Sequence, residues 1–200
     1  MFSLLLDKLP TTVTIDNTIY KINSNFRVSI LFELMMLDNE LTEEEKITTA
    51  LELYYPVIPT DLNKAIEEII KFYSCGANSS DSKGNGSSYK SYNDVYNFEY
   101  DSEYIYSAFM DQYNIDLNSI NYLHWWKFKA MFKSLKDDNM IVKIMGYRSM
   151  DLSKVKDKEQ KAYYRRMQKL YEIPISKDEQ NKLDDITIAL LSSEDLSKVL

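Results

Sequence analysis

The chain has 200 residues, 44% hydrophobic and 28% charged, the balance of a globular protein rather than of a disordered or collagen-like chain. Its 24 basic and 31 acidic residues leave −7 at neutral pH, a field that repels nucleic acid and anionic membrane overall. The single cysteine, Cys75, excludes an internal disulfide framework and a multi-cysteine zinc site.

Residues 1–7 hold a brief apolar run with no basic region before it and no small-residue cleavage site after it, so an export signal is not expected. The longest apolar stretch, 30–37, carries Glu33 and falls short of the roughly 18 residues that cross a bilayer. A cytosolic protein with no membrane partner is expected. Val13 to Ile22 alternates apolar and polar residues around Asp16-Asn17-Thr18, which predicts two short strands and a tight turn. A lone hairpin is marginal in water, so this one must lie on the helices that follow.

Ser24 or Asn25 can cap a helix to about Leu37, with Phe26, Ile30, Leu34 and Leu37 on its buried face. Thr42 and Glu45 make a capping box for a second helix, whose Ile47, Ala50, Leu51 and Tyr54 face inward until Pro56. Thr60 and Asp61 open a third, carrying Leu62, Ala65, Ile66, Ile69, Ile70 and Tyr73, with Gly76 as its left-handed terminator. Three short helices with brief connections should pack antiparallel. Residues 77–91 are rich in serine, asparagine and glycine and read as a linker.

Beyond it, Asp101 or Ser102 caps a helix with Ile105, Ala108, Phe109 and Tyr113 as its apolar stripe. Asn118 or Ser119 is expected to open a stronger helix through Leu135, with Trp125, Phe128, Phe132 and Leu135 inward and Lys127, Lys129 and Lys133 largely outside. A short helix follows from Met140 to about Tyr147, then a long basic one over 151–171 ended by Pro174. A last helix is expected around 183–191. The fold class is therefore mainly α, a helical bundle with a short N-terminal β-hairpin. Its organisation is 1–76 (hairpin and bundle), 77–91 (linker), 92–172 (aromatic and basic helices) and 173–200 (C-terminal helix and tail).

Catalytic constellations are scarce. His124 is the sole histidine, and its neighbours Leu123 and Trp125 favour a hydrogen-bonded core position over general-base or ligand work. Cys75 lies at a helix end rather than a start, which favours a small buried residue over a reactive thiolate. The four glycines make no phosphate loop, since Gly84-Asn-Gly86 has no strand before it and no helix after it. Asp94, Glu99, Asp101 and Glu103 sit close together and could form a hydrolytic pair, but helix-start charge accounts for Asp101 and Glu103. No enzyme activity, catalytic residue, cofactor or metal is expected.

Charge is unevenly spread. Residues 143–169 hold nine basic and three acidic groups, +6, leaving 15 basic and 28 acidic elsewhere, −13. The interleaved Tyr163, Tyr164, Met167 and Leu170 suit packing on a helix, so an acidic protein surface is a better partner for this segment than nucleic acid.

Several strings carry a family resemblance. They are residues 2–10, Tyr20-Lys-Ile-Asn23 and Asn25-Phe-Arg27; then Ala65-Ile66, Phe72-Tyr73 and Cys75-Gly76. The most specific set is Ile105-Tyr106, Ala108-Phe109, Tyr113, Ile115-Asp-Leu117 and Leu123-His-Trp-Trp-Lys-Phe128. Over about residues 1–171 the chain resembles the bacteriophage tail-gene family named after a fifteenth gene product, from long-tailed phages and prophages of Gram-positive hosts. That resemblance implies a nonenzymatic tail assembly chaperone whose partner is the tape-measure protein, with the major tail protein as a further candidate. A minor structural tail or connector component is the alternative, and a hydrolase or nucleic-acid-processing protein a more distant one. Self-association is left open.

Tyrosine, tryptophan and methionine suit a groove for another polypeptide's helix. The contact candidates are Tyr104, Tyr106, Tyr122, Trp126, Lys161, Arg165 and Arg166. Trp125 is assigned to the core, and Trp126, about 100° further around the helix, to the surface.

Overall fold

The computed structural model describes residues 3–76 and 95–174. The expected linker over 77–91 and the expected helix around 183–191 lie outside them. Strands β1 (Thr12–Ile15) and β2 (Thr18–Lys21) pair antiparallel, with Ile15 opposite Thr18. Asp16 and Asn17 take φ of 49° and 61°, the two left-handed residues that a tight hairpin turn requires. Val13 and Ile15 point into the core, and the Asp16 carboxylate meets Lys64 of the third helix at 2.5 Å. The hairpin thus rests on a helix, as its marginal stability alone demands.

Helix α1 (Phe26–Leu37) is capped by the Asn25 side chain, which accepts from the Arg27 amide. Its buried face is Phe26, Ser29, Phe32, Glu33 and Met35, rotated from the expected one; Ile30, Leu34 and Leu37 are only half-buried. The rotation has a polar cause. Ser29 hydrogen-bonds the buried Tyr54 hydroxyl at 2.8 Å and Glu33 accepts from Tyr73, so both face inward although they are polar.

Helix α2 (Glu43–Tyr54) has the complete Thr42/Glu45 capping box, and α3 (Leu62–Tyr73) is capped by Asp61. Ala50, Leu51, Tyr54, Ala65 and Ile69 are buried as expected, whereas Ile47, Leu62 and Ile70 stay exposed. At the end of α3 the amide of Gly76 bonds the Lys71 carbonyl and that of Cys75 bonds Phe72, a Schellman pairing. Cys75 (φ 59°) therefore holds the first left-handed position, and Gly76 (φ 75°) the next.

Helix α4 (Ser102–Tyr113) buries Ile105, Ala108 and Phe109. Helix α5 (Trp125–Lys133) starts later than the periodicity predicts: His124, not Asn118 or Ser119, is the cap, its Nδ1 accepting from the Trp126 amide at 3.1 Å. The preceding segment is held in a non-helical path by Arg27, whose guanidinium donates to the carbonyls of Leu117, Asn118 and Ile120 at 2.7, 3.1 and 3.0 Å. Helix α6 (Met140–Ser149) matches expectation. Helix α7 (Lys158–Leu170) is shorter than the predicted 151–171, because Asp157 caps it and Asp151 forms its own turn with Ser153.

One hydrophobic core takes residues from both sides of the 77–94 interval. Phe26 of α1 stacks on Phe128 of α5 (5.0 Å), which stacks in turn on Phe109 of α4 (4.9 Å). Asn25 and His124 form an isolated backbone bridge, and His124 Nε2 bonds the Pro10 carbonyl at 2.9 Å.

Candidate interaction site

The face that α1, α2 and α3 leave open is a cleft of about 510 Å³. Phe32, Ala50 and Ile69 form its floor, while Met36, Ile47 and Ile70, each close to half exposed, line it at the surface. Helical spacing explains this edge. Ile47 and Ile70 lie one helical step (about 100°) from the buried Lys46 and Ile69, so they turn partly out of the contact.

Polar groups beneath the cleft are closed among themselves. Lys46 donates to the Met36 carbonyl at 3.2 Å. The Glu33 carboxylate accepts from the Tyr73 hydroxyl, and the half-buried Lys129 ammonium lies 5.0 Å from the Tyr73 ring and 5.1 Å from that of Trp125. Burial pushes Glu33 above the ordinary carboxylate range, opposed by its bond to Tyr73 and by the Lys129 charge. Lys129 is half-buried, which corrects its expected outward placement, and the desolvation holds it below a free lysine. Burial raises the Cys75 thiol too, away from thiolate chemistry.

A second, wider cleft of about 910 Å³ lies at the C-terminal end of α1, between α2, residues 97–100 and residues 173–174. Leu31, Leu34, Met35 and Met36 give it an apolar wall, and its charged lining residues are Asp38, Glu40 and Glu99.

The surface assignment of Trp126 is corrected. Both indoles abut the end of α3: Trp125 Nε1 donates to the Tyr73 carbonyl at 2.8 Å and Trp126 Nε1 to that of Phe72 at 2.7 Å. The last carbonyls of a helix have no partner within it. Here two tryptophans in the first turn of α5 supply donors, and Trp126 is left only 8% exposed. The other contact candidates have separate surroundings. Tyr104 meets the ring of Tyr171, Tyr106 is exposed beside Asp116, and Tyr122 is exposed with its hydroxyl 2.8 Å from Ser24 Oγ. Lys161 is half-buried on α7, where Arg165 and Arg166 are exposed.

Asp101 does not act as simple helix-start charge. It is 1% exposed, makes no cap bond, and pairs with Arg148 of α6 at 2.5 and 2.9 Å. Arg148 also donates to the carbonyls of Val95 and Tyr171, so one guanidinium ties α4, α6 and the ends of two loops. Separation by 47 positions hid this pair from local reading. Glu99 and Glu103 remain exposed, and Asp94 lies outside the described residues. Among the described residues no group of three His, Cys, Asp or Glu side chains could hold a metal ion, and no helix is long and apolar enough to cross a membrane.

These features define a mainly helical protein with apolar clefts between its helices. The model of the bacteriophage Gp15 protein family matches residues 5–173, and the chain belongs to that family. The family suggests a phage protein of the tail or head-tail region, of structural or assembly type. No curated protein and no solved structure matches the chain.

Proposed function

We propose that this Gp15-family protein is a tail assembly chaperone of a phage or prophage, which holds an amphipathic helix of the tape-measure protein in the α1–α2–α3 cleft within the host cytoplasm. The observation that carries the reading is the apolar cleft itself: Met36, Ile47 and Ile70 stand exposed at its surface, above a buried floor of Phe32, Ala50 and Ile69. A groove of this form takes helices presenting apolar residues at i, i+3, i+4 and i+7. Methionine at its edge adapts to varied side chains, as a long helical client requires. No bond is made or broken; the protein lowers the concentration of exposed client surface while the tail tube grows.

Co-expression with the tape-measure protein tests this. The wild-type chain should raise the soluble fraction of the tape measure, and the exposed substitutions Ile47→Glu and Ile70→Glu should abolish that gain while leaving the chaperone soluble. No gain at matched expression contradicts the reading. Stoichiometric retention of the chain in purified virions would replace it with a permanent tail component.

A further inference from the structure

Helix α7 and the wider cleft have opposite characters. Of the 13 residues of α7, Met167 is the one buried side chain, and Tyr163 and Leu170 are exposed at 45% and 64%. Its Tyr163, Arg166 and Leu170 follow at i, i+3 and i+7, a stripe along one face. Lys158, Lys161, Arg165, Arg166 and Lys169 face one acid, Glu159, and none of the five is ion-paired among the described residues. The cleft at the end of α1 is apolar within and carries only negative charge in its lining, from Asp38, Glu40 and Glu99.

The helix cannot satisfy its own cleft. Gln168 holds it to α6 through the carbonyls of Tyr147 and Met150, at 3.0 and 2.8 Å. Tyr163 adds a hydroxyl contact to Tyr147 at 3.2 Å. Ile173 and Pro174, just beyond α7, already line the cleft, so the chain between them is too short to turn the helix back into it.

From this complementarity we propose that the occupant of the wider cleft is α7 of a second copy, giving head-to-tail self-association. The Tyr163–Arg166–Leu170 face enters the apolar wall, and Arg165 and Arg166 meet Glu40 and Glu99. Such a contact joins unlike surfaces, so it closes into a ring or extends as an open array according to the rotation between copies. The two readings concern adjoining clefts that share Met36; Ile47 and Ile70 line only the tape-measure cleft, and Glu40 and Glu99 only this one, so substitutions there separate them.

The test is the solution mass of the purified full-length chain by sedimentation or light scattering at rising concentration, in low and high salt. The wild type should exceed the monomer mass at least twofold at low salt and dissociate as salt screens the charges. Glu40→Lys/Glu99→Lys and Arg165→Glu/Arg166→Glu change exposed positions only, so both variants should fold with wild-type circular dichroism and each should be monomeric alone. Mixed together they restore both kinds of contact and should assemble. A wild type that stays monomeric at hundred-micromolar concentration overturns the proposal. So does assembly unaffected by either charge reversal, or a mixture of the two variants that remains monomeric.

Discussion

Breaking the Asp101–Arg148 pair should be among the most damaging changes available on this surface-distant side of the molecule. The side chains are 1% and 8% exposed and joined by two charge-assisted hydrogen bonds. Asp101→Asn keeps the shape and an acceptor for the Asn97 amide, but leaves the guanidinium buried without its counter-charge. Loss of one partner of a buried pair costs about 3–5 kcal/mol. Removing both charges, as Asp101→Leu/Arg148→Met, leaves the Val95 and Tyr171 carbonyls and the Asn97 amide short of partners, a penalty of roughly 1–3 kcal/mol per fully buried group. Those groups lie near loops, where water can reach some of them, so the double variant should be more stable than the two single costs added together. Urea unfolding followed by tryptophan fluorescence reads the wild type, Asp101→Leu, Arg148→Met and their double variant as a cycle, with Asp101→Asn beside them, since Trp125 and Trp126 are both buried. A cost below about 1 kcal/mol for Asp101→Asn, or strict additivity in the cycle, would refute the claim that this pair is coupled and desolvated.

Trp126→Ala should destabilise by about 3–5 kcal/mol, measured by the same denaturation, because it empties a core site and removes the indole's hydrogen bond to the Phe72 carbonyl, which keeps the Cys75 amide. His124→Asn keeps an N-cap acceptor and should cost less than His124→Ala, which loses the cap at about 0.5–2 kcal/mol in addition to the bond to Pro10; thermal melts rank the two. Glu33 gives a pH signature. Its folded pKa is raised chiefly by burial, so its contribution to stability is fully present below the unfolded carboxylate pKa and is lost as pH rises through the folded value. The stability of the wild type relative to Glu33→Gln should therefore increase as pH is lowered from neutral into the acid range, and a difference that shrinks on acidification would be the wrong sign.

Local rules carried the parts of this fold that are local. The Asp16-Asn17 turn, the Thr42/Glu45 box, the Asp61 cap and the Trp125–Phe128–Phe132–Leu135 face are all written within a few residues, and the structure shows each. What escaped depends on partners distant along the chain. Periodicity could not show that Arg27 holds the carbonyls of 117–120 and so delays α5 until His124. Nor could it show that two neighbouring tryptophans, 100° apart on a helical wheel, both turn toward the end of α3 to cap it. In α1 the inward turn of Ser29 and Glu33 follows from hydroxyl partners on α2 and α3, and a hydropathy pattern assigns such residues to solvent. The cleft edge is partly legible for the same reason: Ile47 and Ile70 read as apolar stripe residues, and only the packing of three helices leaves them exposed.

The most direct test of the proposed role is a titration of the purified chain with amphipathic helical fragments that tile the tape-measure protein. At least one fragment should bind the wild type saturably, and Ile70→Glu should weaken that binding by about tenfold or more, the effect of about 1.4 kcal/mol at one contact. Absence of binding across all fragments, or an affinity unchanged by Ile70→Glu, would contradict the account.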